Sequence, residues 1–151
     1  RWLVFNVLIA NGDNHLKNLS FLVSAEGTEL APAYDLLCTG VYDTRALADD
    51  AAHWPATAMP IQLPGARTFG EVTRQSLLGA GEAMGVPAAI CRRELDRLVR
   101  TLPRELAVLA QEFEQMADDL NDGPALPFLA GQRRLVHAIR HVVVADMVAR
   151  V

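Results

Sequence analysis

Apolar residues recur at helical spacing toward both ends of this chain and in short strand-like runs between them. Trp2 to Ala10 reads as the end of a buried helix, with Leu3, Val4, Val7 and Leu8 on its apolar side. Asn11-Gly12-Asp13-Asn14 breaks that helix and opens a loop. Leu19 to Val23 is a β-prone run, Ser24 to Gly27 carries turn chemistry, and Thr28 to Ala31 is the returning strand. Pro32 ends the pairing or sits on an edge. With Glu26-Gly27 as the two-residue loop, Ala25 faces Thr28 and Asn18 falls opposite Asp35. Residues 38–67, with Pro55, Pro60, Pro64 and Gly65, read as a long irregular loop.

From Thr68 the pattern turns helical. Thr68-Phe69-Gly70-Glu71 has capping-box spacing, and the helix it opens is predicted to reach Met84, with Gly85 as its stop. Pro87 starts another helix, with Ile90, Leu95, Leu98 and Leu102 on one side. Pro103 is expected to break or restart it. Leu106, Leu109, Phe113, Met116 and Leu120 then extend the apolar stripe, which is read as core. Asn121-Asp122-Gly123-Pro124 marks a break, and a last helix covers about Gln132 to Arg150. The pairs Arg92/Arg93 and Arg133/Arg134 read as solvated helix faces. The expectation is a mainly α fold with one small β-hairpin.

Composition narrows the class. The chain has 151 residues, enough for one domain or a large part of one, and a net charge of −4 that gives no basic field for nucleic acid or anionic membrane. Cys38 and Cys91 lie outside any CxxC or Cys/His cluster, so a zinc site is unsupported and reduced thiols are expected. No apolar run is long enough for a membrane span, and a cytoplasmic location is the default. The chain opens at Arg1, without an initiator methionine and directly into an apolar segment, and is read as cut from a longer protein.

The candidate chemistry sits in Ile9-Ala10-Asn11-Gly12-Asp13-Asn14-His15-Leu16-Lys17-Asn18-Leu19-Ser20 and in Leu30-Ala31-Pro32-Ala33-Tyr34-Asp35-Leu36-Leu37. A loop presents the carboxylate Asp13. Five residues later comes the amide Asn18, and a hairpin then returns to a second carboxylate, Asp35. An amide oxygen and a carboxylate converging at the open end of a hairpin suit magnesium, which takes one or two protein oxygens and completes its shell with water and phosphate. Phosphoryl transfer also needs a separate residue to accept the hydroxyl proton, and Asp13 is placed for that. Taken singly, each residue has a plain structural reading: Asp13-x-His15 as a turn, Asp35 as a helix N-cap, Asn18 as a strand start.

Protein kinases place a catalytic Asp five residues before a metal-binding Asn, followed after a short hairpin by a metal-binding Asp. The two segments here resemble the HipA family of bacterial toxin kinases, as do Met59-Pro60-Ile61-Gln62-Leu63, Thr68-Phe69-Gly70-Glu71-Val72 and Met84-Gly85-Val86. The resemblance covers about residues 2–86. Pro64-Gly65-Ala66 departs from the small glycine-bearing segment expected there, and the C-terminal helices match only in character.

The resemblance implies the C-lobe of a protein-kinase-like fold of HipA C-terminal type, with the N-lobe absent. Residues 1–37 would form the catalytic loop and metal-binding hairpin, 38–67 an irregular loop, and 68–151 a helical bundle. Asp13 would be the catalytic Asp, and Asn18 and Asp35 the Mg2+ ligands. His15 would brace the loop by hydrogen bonds, Lys17 would lie near the transferred phosphate, and Tyr34 would pack or sit on the adenine side. It further implies ATP-dependent phosphorylation of a protein serine or threonine, with a translation factor or aminoacyl-tRNA synthetase as the kind of substrate. A helix-turn-helix antitoxin would be the partner and would supply most of the DNA contact.

Neither a glycine-rich phosphate loop nor a strand-borne lysine precedes Asp13. The chain alone is therefore expected to bind ATP weakly and not to turn over. Two other readings compete. Gly12-Asp13-Asn14-His15-Leu16-Lys17-Asn18 also fits small-molecule and lipid kinases, and an inactive kinase-like module that binds a partner is the non-enzymatic alternative.

Overall fold

Leu8 and Ala10 have no exposed surface, and helices and short strands close around them. The computed structural model describes residues 1–119 and 126–151; Leu120 and the expected break at Asn121-Asp122-Gly123-Pro124 lie outside the described residues. Helix α1 (Trp2–Leu8) ends with two backbone bonds, Asn11 N–H to the Asn6 carbonyl at 2.8 Å and Ala10 N–H to the Val7 carbonyl at 3.0 Å. Ala10 takes the left-handed conformation this closure needs, with φ 50, at a position where glycine is usual. Its carbonyl accepts the Gly40 N–H at 2.9 Å, so the following loop starts from a fixed point.

A turn of 3-10 helix (Leu16–Asn18) leads into strands β1 (Phe21–Ser24) and β2 (Gly27–Leu30), which pair antiparallel. The expected register is corrected here. Ser24 faces Gly27 and Phe21 faces Leu30, so Ala25-Glu26 is the loop and the ladder does not place Asn18 opposite Asp35. All eight strand residues are exposed. A two-stranded hairpin is marginal by itself, and this one turns Phe21, Leu22, Val23 and Leu30 toward solvent.

Residues 38–67 are not an irregular loop. They contain a 3-10 turn (Thr39–Asp43), the four-residue helix α2 (Arg45–Ala48), a second turn (Asp49–Ala51) and strand β3 (Ala58–Leu63), which pairs antiparallel with β4 (Ala66–Thr68). The register shifts between the Ala58–Thr68 and Leu63–Ala66 pairs, around Pro60, where the missing N–H is tolerated. Val41, Met59, Leu63 and Ala66 from this stretch are core residues. Prolines and short elements hid a strand whose inward side chains are Met59 and Leu63.

The capping box at Thr68 exists, but it closes only a 3-10 turn (Phe69–Glu71). A second one, Thr73 with Ser76, opens helix α3 (Arg74–Ala83). That helix stops as expected, with Gly85 at φ 75. Helix α4 (Ala88–Asp119) runs through Pro103 without a break. Its amphipathic face keeps packing on both sides of the proline, outweighing one lost hydrogen bond. In its second half the buried positions are Ala110 and Ala117, whereas Leu109 and Met116 are exposed. Small side chains there let helix α5 (Leu126–Ala138) approach closely, and Arg133 ties the two helices through Glu114 (2.7 Å) and Asp118 (2.6 Å) instead of being free in solvent. The last helical stretch begins at Leu126 and passes through a π-helical segment (Ile139–Val144) into α6 (Ala145–Ala149).

The core joins both ends of the chain: Val7, Leu8, Met59, Phe69, Leu77, Leu95, Val143 and Met147 form one buried cluster. Phe69 is 1% exposed; burying a side chain of this size stabilises by about 1.5–3 kcal/mol. The hairpin lies outside this cluster, and the loop from Ala10 to Leu19 joins the two.

Candidate functional site

The loop is held from beneath by asparagines. Asn6 is 1% exposed, donates from Nδ2 to the Trp2 carbonyl (2.9 Å) and accepts at Oδ1 from Asn11 Nδ2 (2.7 Å). Asn11, 2% exposed, donates also to the Asp35 carbonyl (2.8 Å) and accepts the Asp13 N–H at Oδ1 (3.0 Å). One side chain thus ties the end of α1, the peptide of Asp13 and the backbone of Asp35. Beside it the Gly12 N–H donates to Thr39 Oγ1 at 2.6 Å; a Cβ on Gly12 would lie 2.9 Å from that oxygen, so any larger residue would push the loop off its support.

Asn18 and Asp35 do meet. Asn18 Nδ2 donates to Asp35 Oδ2 at 3.1 Å. The convergence comes from loop geometry beyond the ladder: Asn18 closes a 3-10 turn, Asp35 sits in the left-handed region at φ 52, and Asn11 holds the Asp35 carbonyl. Aspartate is among the few non-glycine residues enriched at such φ values. Tyr34 steadies the same crossing. Its hydroxyl donates to the Lys17 carbonyl (2.7 Å) and pairs with Ser20 Oγ (2.9 Å), which leaves the ring 40% exposed.

Asp13, His15 and Lys17 are all exposed. Asp13 lies on the open surface, where a carboxylate can reach a substrate hydroxyl. Among the described residues the His15 side chain makes no hydrogen bond, so the brace expected of it comes from Asn11 instead. Lys17 is the one lysine of the chain, and its side chain is likewise without an ion-pair partner among the described residues.

Three buried side-chain atoms among the described residues have no hydrogen-bond partner: Trp2 Nε1, Asn14 Oδ1 and Asn18 Oδ1. Leaving such an atom unpaired costs about 1–3 kcal/mol, and two of the three are amide oxygens of this one loop. Asn18 is 3% exposed, and its oxygen lies beside a carboxylate that keeps Oδ1 free. An oxygen pair of this kind fits a hard divalent cation. No group of three or more His, Cys, Asp or Glu side chains that could hold a metal occurs among the described residues; one amide oxygen and one carboxylate would leave the rest of a cation's shell to water and phosphate. An apolar cavity of about 220 Å³, lined by Leu3, Val4, Leu77, Met84, Val86 and Leu95, contains none of the site residues. The site itself is an open face beside the exposed apolar hairpin.

A mostly helical domain with two small antiparallel hairpins, one of them footed by this amide–carboxylate pair, is of HipA C-terminal kind. A family model described as the HipA-like C-terminal domain matches residues 1–106, and the chain belongs to that family. It is similar to "Putative kinase Y4mE" of Sinorhizobium fredii, with 30% identity over 135 residues, covering 88% of this chain and 30% of that protein. It is also similar to the serine/threonine-protein kinase toxin HipA of Shewanella oneidensis, with 28% identity, covering 79% of this chain and 25% of that protein. The chain therefore spans under a third of the length of these relatives. Among solved structures, a Shewanella oneidensis complex of HipA, HipB and operator DNA matches over 99% of this chain and 32% of that one, with TM-score 0.58 and 22% identity. That likeness shows the fold.

Sequence reasoning missed Asn6 and Asn11. Asn6 lies inside an apolar helical run that drew no functional reading, and Asn11 reads only as part of the break that opens the loop. The signal that could have found them is the five-residue spacing of two asparagines across a helix end, which lets the second side chain reach back to the first.

Proposed function

We propose that this chain carries the catalytic loop and metal-binding hairpin of a serine/threonine protein kinase of toxin type. The observation that carries this reading is the Asn18–Asp35 pair, with its buried amide oxygen free beside a carboxylate. Asn18 and Asp35 would hold Mg2+ at the ATP phosphates. The bound ion would neutralise charge on the transferred phosphoryl group. Asp13 accepts the proton of a serine or threonine hydroxyl as its oxygen bonds to the terminal phosphorus and the bond to the bridging oxygen breaks. Lys17 supplies positive charge on the same exposed loop, and His15 borders it. Tyr34 ties the segment leading to Asp35 to the loop through the Lys17 carbonyl and would offer a ring face on the side of the nucleotide.

The rest of the ATP site is proposed to come from an N-lobe that covers the exposed residues Phe21, Val23 and Leu30. The relatives' greater length supports this. Their names support the kinase class, and the solved complex, a toxin–antitoxin system of HipA, HipB and operator DNA, supports an antitoxin as partner, proposed to be of helix-turn-helix type. No helix among the described residues is long and apolar enough to cross a membrane; action in the cytoplasm is part of the proposal.

The test is phosphate transfer from labelled ATP by the intact protein, with Mg2+, to a proteome extract and in parallel to aminoglycosides and inositol lipids. Label on protein serine or threonine is expected. Label on the small hydroxyl compounds alone would assign the small-molecule or lipid reading, and absence of metal-dependent nucleotide binding would assign a partner-binding module.

A further inference from the structure

Gly12 does not take the left-handed conformation; among the described residues the glycines that do are Gly27, Gly65 and Gly85. The backbone freedom of glycine is therefore not what this position uses. It uses the missing side chain. A Cβ there would stand 2.9 Å from Thr39 Oγ1, and among the described residues no other atom outside the adjoining residues comes within 4 Å of it. The glycine before Asp13 answers to one hydroxyl, 27 residues away. That hydroxyl accepts the Gly12 N–H at 2.6 Å and donates to the Ala10 carbonyl at a longer 3.4 Å, and a threonine oxygen can do both at once. Thr39 itself stands on a fixed base. It opens the 3-10 turn that reaches Asp43, in which Gly40 and Val41 are buried, and the Gly40 N–H donates to the same Ala10 carbonyl at 2.9 Å. The segment before it, residues 31–38, carries Asp35 and has no regular structure.

We infer that Thr39 is a positioning residue for Asp13. It holds the Gly12 peptide while Asn11 holds that of Asp13, so two successive amides of the loop each end on a side-chain oxygen. The same two side chains bracket the segment that carries the proposed metal ligand. Asn11 Nδ2 grips the Asp35 carbonyl at 2.8 Å, and Thr39 closes the segment four residues on. The loop of the proposed base and the segment of Asp35 are thus fastened to each other at two points, both outside the hairpin ladder. Asp13 is exposed and its one described hydrogen bond is made by its peptide N–H, so the place of its carboxylate follows from where these peptides are held. The positioning role rests on the proposed function; the bond from Gly12 to Thr39 does not.

Thr39→Val keeps the shape of the side chain and removes the hydroxyl, whereas Thr39→Ser keeps the hydroxyl. In the intact protein, amide exchange over loop residues 11–18, read by mass spectrometry, is expected to quicken in Thr39→Val and to stay slow in Thr39→Ser. Unchanged exchange in Thr39→Val would overturn the tie even if the protein proves to be a kinase. Thr39→Val is expected to lower kcat on the order of 10-fold or more, since small displacements of a reacting group are costly. Affinity for the Mg2+ nucleotide should be unchanged, because Asp35 keeps its bonds to Asn11 and Asn18, and Thr39→Ser should retain most of the rate. An unchanged kcat, equal losses in the two variants, or a nucleotide affinity that falls along with kcat would overturn the positioning role. If Thr39→Val does not fold, a cycle with Gly12 reads the same link. Gly12→Ala is expected to lower kcat in the wild type and to add little in Thr39→Ala, where the hydroxyl it displaces is gone; additive losses would overturn the link. A wild-type protein without phosphotransfer would sink the kinase reading and the positioning role with it, and the exchange result would still decide the tie.

Discussion

The amide of Asn18 faces the carboxylate of Asp35 at 3.1 Å, and it does so with its nitrogen, leaving its oxygen buried and unpaired. A pair that served only to pin the hairpin would not need the orphaned oxygen. Under the proposed function, a cation would use both free oxygens, one from the amide and one from the carboxylate. Asn18 can hardly relocate, being 3% exposed, whereas Asp35 is exposed on its left-handed turn.

Asp35→Asn in the intact protein is expected to weaken Mg2+-dependent nucleotide binding. Residues that merely orient metal ligands change affinity by roughly 10–100-fold, and a direct ligand should do no less. Asn18→Ala should act in the same direction. Calorimetric titration with and without Mg2+ measures both. A loss that is the same in the two conditions would mean the pair is structural.

Asp13→Asn keeps the shape of the side chain and removes the proposed base. The rate of transfer is expected to fall by roughly 10²- to 10⁴-fold. Nucleotide affinity should stay within a small factor, because Asp13 is exposed and its one described hydrogen bond is made by its peptide N–H. Single-turnover kinetics beside equilibrium binding separates the two effects.

Asn11→Ala should cost more stability than its size suggests. It removes the donor to Asn6 Oδ1 and to the Asp35 carbonyl and the acceptor of the Asp13 N–H. With each stranded buried group at about 1–3 kcal/mol, a loss of roughly 2–4 kcal/mol in urea unfolding is expected. A change below about half a kcal/mol, the level of an ordinary surface substitution, would show that the network is replaceable by solvent.

The kinase-like spacing of Asp13, Asn18 and Asp35 was legible because it needs only residue types at set intervals and a hairpin between them. The physical reason assigned to the Asn18–Asp35 contact was different from the one observed. The ladder register is displaced, and the contact is made by a 3-10 turn and a left-handed aspartate that no periodicity reports. The strand at Met59 to Leu63 was obscured by Pro60, and the buried face of α4 by large residues that point outward while Ala110 and Ala117 point in. Tertiary packing decided both, and local pattern carries little of it.

Cys38 gives a test that does not depend on function. Burial pushes its thiol from the ordinary 9.0 up to about 12, against a smaller downward pull from the Val41 backbone hydrogen bond. In the unfolded chain the thiol ionises near its ordinary value, while in the folded chain it stays protonated almost to 12. Above 9 the unfolded state therefore binds fewer protons than the native state, and stability falls as pH rises through this window. Two outcomes follow. A thiol-specific reagent at neutral pH should label Cys38 much more slowly in the folded chain than in the urea-unfolded chain, because the thiolate is the nucleophile and burial suppresses it. Cys38→Val, which keeps an apolar side chain against the core, should remove this part of the alkaline loss in urea titrations run from about 9 upward. If the variant and the wild type lose stability in parallel over that range, the thiol ionises in the folded chain as readily as in the unfolded one.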